Sequence, residues 1–242
     1  MENALELISF RPKQRSMKWL LRIALSLAVM AIVVLALAGH YYYKGFYRPA
    51  NTSRSAYTPK RVSAPEADRI AEKAAQLRKF VAGNAVARPV QGRRYSEKLA
   101  FLVDMRLPSG KNRFFVYDLG GDSIIMAGLV AHGCGNTAFS LTPSFSNADG
   151  SNCSALGRYR VGSPYIGQWS RSYFLYGLDS TNDRALERHI VLHSYDCVPD
   201  GETDPFPICN SKGCAMVSPA FLARLRGLID ASKKPVLLWI FN

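Results

Sequence analysis

The chain contains no internal repeat, no low-complexity tract and no glycine-rich phosphate loop, which removes solenoid and nucleotide-cradling readings. It also lacks the C-x2-C pair with which structural zinc sites usually begin. Acidic residues are scarce: 18 Asp and Glu stand against 31 Lys and Arg, giving a formal net charge of +13. That imbalance calls for an anionic neighbour, whether lipid headgroups, nucleic acid or an acidic wall polymer. No nucleic-acid recognition motif accompanies the charge, so nucleic acid is not an expected partner. With 242 residues, the chain suffices for one well-packed domain and an accessory segment, but is short for two full domains.

One long hydrophobic run is present. Ile23 to Gly39 carries no charge and follows Arg11, Lys13, Arg15, Lys18 and Arg22. As a helix it falls just short of the ~30 Å hydrocarbon core, and Trp19 to Leu21 with Tyr41 to Tyr43 can extend it. Basic residues before the run and aromatics after it place the N-terminus inside and the remainder outside a bacterial cytoplasmic membrane. The competing reading is a cleaved signal peptide, since Ala36-Leu37-Ala38 has an A-x-A form; the protein would then be secreted. The expected organisation is a cytoplasmic basic segment (1–22), a single-pass anchor or signal (23–43), a linker (44–63), a packing helix with its connection (64–96) and a main domain (97–242).

Ser63 with Glu66 forms a capping-box signature, and Ile70, Ala74, Leu77 and Val81 have helical spacing before Gly83. Beyond Leu99 the sequence turns strand-like. AFLVDM and FFVYDL are joined through Pro108 to Asn112 as a hairpin; SIIMAGLVAHG, SYFLYGL, HIVLHS and PVLLWIF follow. A helix after Ser218 places Phe221, Leu225 and Leu228 on one face. The expected fold is therefore mainly β (α+β), largely antiparallel, with few helices.

The densest chemical signal is His193-Ser194 at the end of an apolar run, then a Pro-rich loop, then Ser211-Lys212-Gly213-Cys214. A thiol becomes a strong nucleophile when a base or cation favours its thiolate, and histidine is the commonest such partner. Gly213 permits a sharp turn that would aim the Gly213 and Cys214 amides at a developing oxyanion. A buried structural thiol gives the same short pattern.

The pattern resembles the L,D-transpeptidase motif, a His followed some fifteen or so residues later by Ser/Thr-His-Gly-Cys. More closely, the chain resembles the murein L,D-transpeptidase catalytic domain family, a YkuD-like branch, over roughly residues 97 to 240. The ordered segments are Val130-Ala131-His132-Gly133, Phe145-Ser146-Asn147, Ser151, Ser154-Ala155-Leu156-Gly157, Tyr165-Ile166-Gly167, Gly177-Leu178, Arg188 through His193 and Ser211 through Cys214. The resemblance implies a β-sandwich or barrel and cofactor-free acyl transfer on peptidoglycan stem peptides. Cys214 would be the nucleophile, His193 the general base, and Ser211 and Gly213 the loop that shapes the site. His132, Gly133, Asn147, Ser151 and Ser154 would lie near substrate. Lys212 stands where the wider family has His, and would either favour the thiolate or face solvent. His189, four residues before His193, would share its strand face.

With Cys214 assigned in this way, four cysteines remain, and four thiols allow three connectivities. Cys197–Cys209 and Cys134–Cys153 are the expected disulfides, each closing a loop of about ten to twenty residues beside the site. Three other functions compete: a zinc site on His193, Cys197, Cys209 and Cys214; hydrolysis as an L,D-carboxypeptidase or cysteine peptidase; and a non-catalytic cell-wall binding protein on the same fold.

Overall fold

A computed structural model describes residues 14–42, 62–86 and 95–242. It divides at Arg48 into an N-terminal unit and the unit from Pro49 onward. The expected linker therefore lies almost wholly outside the described residues, as does part of the connection after the packing helix.

The described residues of the N-terminal unit form helix α1, Gln14–Tyr42. Its span Lys18–His40 has mean hydropathy 2.7, and its side chains are exposed. At the usual rise, 23 residues extend about 35 Å, enough for a bilayer core.

The first described element of the second unit is helix α2, Ala64–Val86. Its capping box forms in part: the Ser63 amide donates to Glu66 Oε2 at 3.1 Å. The helix runs through Gly83 to Val86, so that glycine does not end it. Eight strands follow: β1 (Leu99–Asp104), β2 (Phe114–Asp118), β3 (Ser123–Gly128), β4 (Gly157–Gly167), β5 (Ser170–Gly177), β6 (Val191–Ser194), β7 (Ala215–Val217) and, after helix α3 (Pro219–Ala231), β8 (Leu237–Phe241). They form one sheet in the order β3-β2-β1-β8-β4-β5-β6-β7. Neighbours are antiparallel except for the parallel pairs β1–β8 and β6–β7.

Residues just beyond β3 join the two sheet edges: Ala131 bridges Met216 of β7, with its amide on the Met216 carbonyl at 2.8 Å. Alternation along the strands then sorts side chains into two cores. Phe101, Val103, Phe114, Leu192, Ala215 and Val217 pack together with Phe221, Leu222 and Leu225 of α3. Ala100, Leu102, Phe115 and Leu237 face the other way, onto Ile70, Ala74, Leu77 and Val81 of α2. Ser218 caps α3 by accepting the Phe221 amide. Two strands escape the sequence pattern. In β4, Tyr159 and Val161 are buried while Arg158 and Arg160 face outward and Pro164 lies at an irregularity; β7 has only three residues.

Candidate active site

Strands β6 and β7 lie side by side in parallel, with Leu192 opposite Ala215 and His193 opposite Met216. Leu192, Ala215 and Val217 point into the core shared with α3. Met216, opposite His193, packs instead with Val198 and Ile208, and Cys214 lies in the bend immediately before β7.

The residues preceding β6 form a cradle for the Cys214 sulfur. Its thiol donates to the His189 carbonyl at 3.7 Å, and the Val191 amide donates back to the sulfur. Ile190 Cδ1 lies 3.1 Å from where a Cβ on Gly213 would stand. His189 takes a positive φ of 54°, an unusual backbone state for a non-glycine residue, and this is the turn that directs its carbonyl at the thiol. Burial raises the Cys214 thiol above its ordinary value, against the lowering effects of the Val191 amide and the Arg188 charge. The resting group is a neutral thiol.

His193 is buried, and its Nδ1 lies 3.2 Å from the Ser194 carbonyl. Since a carbonyl only accepts, Nδ1 carries the proton and Nε2 is the basic nitrogen. Burial lowers the imidazole, opposed by the Ser194 carbonyl, so the ring is neutral at neutral pH. The Trp169 ring, from the β4–β5 turn, stacks on it at 5.4 Å and 27°, and Tyr195 meets Trp169 edge-on at 5.0 Å.

Ser211 shapes the nucleophile loop from within. Its hydroxyl accepts the Gly213 amide at 3.1 Å and donates to the Cys214 carbonyl at 2.8 Å. The Gly213 amide is thus engaged by Ser211, which corrects the expectation that it points at an oxyanion. Gly213 has φ of 106°, and a Cβ there would lie 2.7 Å from the Cys153 carbonyl; only glycine fits this close approach.

A family model for the L,D-transpeptidase catalytic domain matches residues 72–241. The chain belongs to this family. Solved structures with similarity include an L,D-transpeptidase from Xylanimonas cellulosilytica (14% identity, 61% of this chain and 62% of that one, TM-score 0.35). Others are an L,D-transpeptidase from Mycobacterium smegmatis (10%, 60% and 59%, 0.35) and the helical cell shape determining protein Pgp2 from Campylobacter jejuni (13%, 59% and 46%, 0.38). The chain thus spans between 46% and 62% of their length. No curated protein matches it.

Within this L,D-transpeptidase-family domain, several expected substrate contacts turn out to be internal bonds. His132 is wholly buried, so it does not line an open groove. Its Nδ1 accepts from Arg113 Nη2 at 2.9 Å, and its Nε2 faces the Ser140 carbonyl at 3.2 Å. Burial, then the Arg113 charge, lower it to about 4. Gly133 lies against the Asn152 backbone and donates its amide to the buried Ser154 hydroxyl at 3.0 Å. Asn147 Nδ2 donates to Asp183 at 2.7 Å, and the Ser151 hydroxyl donates to the Ala148 carbonyl at 2.7 Å. Lys212 is exposed. His189 precedes β6 instead of sharing its face with His193, because its positive φ breaks the alternation.

Cys197 and Cys209 form a disulfide, and the loop they close packs Val198 and Ile208 onto Met216, beside the site. With two of its four ligands bonded in this way, the competing zinc set cannot assemble. Cys134 and Cys153 are free thiols, so the second expected disulfide is not formed: each sulfur instead donates to a carbonyl of its own segment, of Gly135 and Ser151 respectively. The sequence reading missed Arg188 as a site residue although it lies in a quoted segment, and it missed Trp169 and Tyr195. An aromatic at a hairpin tip was the available signal for Trp169.

Proposed function

We propose that this protein is a peptidoglycan L,D-transpeptidase that works through a Cys214 thioester with His193 as general base, held outside the cytoplasmic membrane by α1. What supports the reading is the cradled Cys214 thiol in the bend that leads into β7, next to strand β6, whose His193 carries a neutral imidazole with basic Nε2. The thiol turns from the His189 carbonyl toward Nε2 when a donor stem peptide enters, consistent with catalytic bonds that tighten only on substrate binding. Nε2 takes the thiol proton as sulfur attacks the carbonyl at the L-centre of the third, diamino residue. The C–N bond to the terminal D-residue breaks, and its amine leaves with that proton. An acceptor amine then attacks the thioester, His193 removes its proton, and the thiol is restored.

Ser211 and Gly213 act by shaping the loop, and Trp169 by holding the imidazole plane. The buried His132, with Gly133, Asn147, Ser151 and Ser154, supports the loops around the site, and exposed Lys212 meets anionic substrate groups. The positive charge of the chain suits an anionic wall or membrane surface.

The test is incubation of the full chain, in detergent, with defined tetrapeptide muropeptides, followed by mass spectrometry. A thioester adduct and a product with the terminal D-residue lost, both absent in Cys214→Ala and His193→Ala, are the expected results. A cross-linked product identifies transfer, and a tripeptide alone identifies hydrolysis. Folded protein that forms neither adduct nor product would refute the enzyme reading in favour of a cell-wall binding protein.

A further inference from the structure

Arg188 makes three bonds that all end on one segment. Its Nη1 donates to the Ser146 carbonyl at 2.9 Å, and its Nη2 to the Cys153 carbonyl at 2.8 Å and the Ser151 hydroxyl at 3.2 Å. Ser146 and Cys153 lie at opposite ends of the polar loop, so one planar group spans it. The Cys153 carbonyl has a second neighbour, Gly213, whose α-carbon it approaches so closely that a Cβ would stand 2.7 Å away. Guanidinium, carbonyl and the residue before Cys214 thus form one continuous line of contact. The charge is also near enough to act on the sulfur itself.

We propose that Arg188 is a positioning residue for Cys214: its planar fork fixes the 145–154 segment against the nucleophile loop and keeps a positive charge beside the sulfur. This rests on Cys214 being the reacting thiol. A guanidinium suits the task better than an ammonium because its donors are rigid and divergent, and because it remains charged when half-buried. The other groups around the sulfur do not duplicate it. The His189 carbonyl attracts the thiol proton, while the Val191 amide supplies a dipole. Tyr159 of β4, coupled electrostatically to both Cys214 and Arg188, is held as a neutral phenol by burial. His193 is a neutral base, and Lys212 extends into solvent. Asp179, which also acts on Tyr159, is paired with Arg158.

The experiment measures the rate of Cys214 alkylation by iodoacetamide against pH, read on the Cys214 peptide by mass spectrometry, in the full chain and in Arg188→Met and Arg188→Lys. Turnover of tetrapeptide muropeptide is measured in parallel. Arg188→Met is expected to move the alkylation midpoint upward by about one pH unit, an approximately tenfold loss of rate near neutrality. Arg188→Lys keeps the charge but cannot bridge the loop, so its midpoint stays near that of the wild type while turnover falls by about tenfold. A folded Arg188→Met with the wild-type midpoint overturns the inference. So does an Arg188→Lys protein with wild-type turnover, and this second variant decides the matter if Arg188→Met does not fold. A purely structural arginine would lower the reactive fraction without moving the midpoint. If wild type and Cys214→Ala process muropeptide equally, the proposed reaction fails, while the alkylation midpoints still judge Arg188 independently.

Discussion

Acid should destabilise this domain through His132. The imidazole is fully buried and lowered from 6.5 to about 4, first by burial and then by the neighbouring Arg113 charge. Arg113 cannot relieve the conflict by moving, since its guanidinium also donates to the Val130 and Leu107 carbonyls. The unfolded chain takes up the His132 proton more readily than the folded one, so stability rises with pH. The full contribution is present above the ordinary imidazole value of about 6.5 and is lost as the pH falls from there toward about 4. The linkage relation gives a loss of about 2 kcal/mol at about pH 4.5 relative to neutrality, against a total stability on the order of 5–15 kcal/mol for ordinary domains. Denaturant unfolding of the wild type and His132→Gln across this range isolates the effect, because carboxylates and His193 titrate in both. The two stabilities should converge on acidification by roughly that amount. Parallel curves would refute the reasoning and mean that the buried imidazole is not held neutral.

Three further outcomes are expected. Gly213→Ala places a methyl group 2.7 Å from the Cys153 carbonyl at a φ of 106°; at least about 2 kcal/mol of stability should be lost, measured by denaturant melts, with acylation falling as the loop shifts. Reduction of Cys197–Cys209, which closes a loop of sequence separation 12, should lower stability by about 3 kcal/mol; an unchanged melting temperature in dithiothreitol would show that packing of Val198 and Ile208 suffices. The rising limb of acylation rate with pH should have its midpoint below the ordinary imidazole value of about 6.5, because burial lowers His193 and the neutral base then persists into mild acid. A midpoint above that value in a stopped-flow profile would contradict the buried base.

Much of the framework was legible because it depends on local pattern. Ile70, Ala74, Leu77 and Val81 repeat at helical spacing, and all four are buried against the sheet. The capping pair Ser63 and Glu66 marks the start of α2, and Ser218 marks α3. The hairpin from β1 to β2 follows from its Pro-Ser-Gly turn. Failures arose where a residue's surroundings come from elsewhere in the chain. Strand β4 carries arginines at alternate positions, which reads as loop until their partners are known: Arg158 pairs with Asp179, and Arg160 lies over the Tyr176 ring. Strand β7 is too short to show a period.

Composition, periodicity and motif order are properties of the chain, and they already carry the apolar N-terminal helix, the mainly β class and the ordered motifs ending at Cys214. What surrounds the sulfur is set by folding. Closure of the sheet through Ala131 and Met216 buries His132 behind the site, and the parallel pairing of β6 with β7 sets the Cys214 bend next to the strand that carries His193. The left-handed turn at His189 aims a carbonyl at the thiol, and Arg188 meets a loop some forty residues away in sequence. Such contacts depend on distances in space, and spacing along the chain carries no record of them.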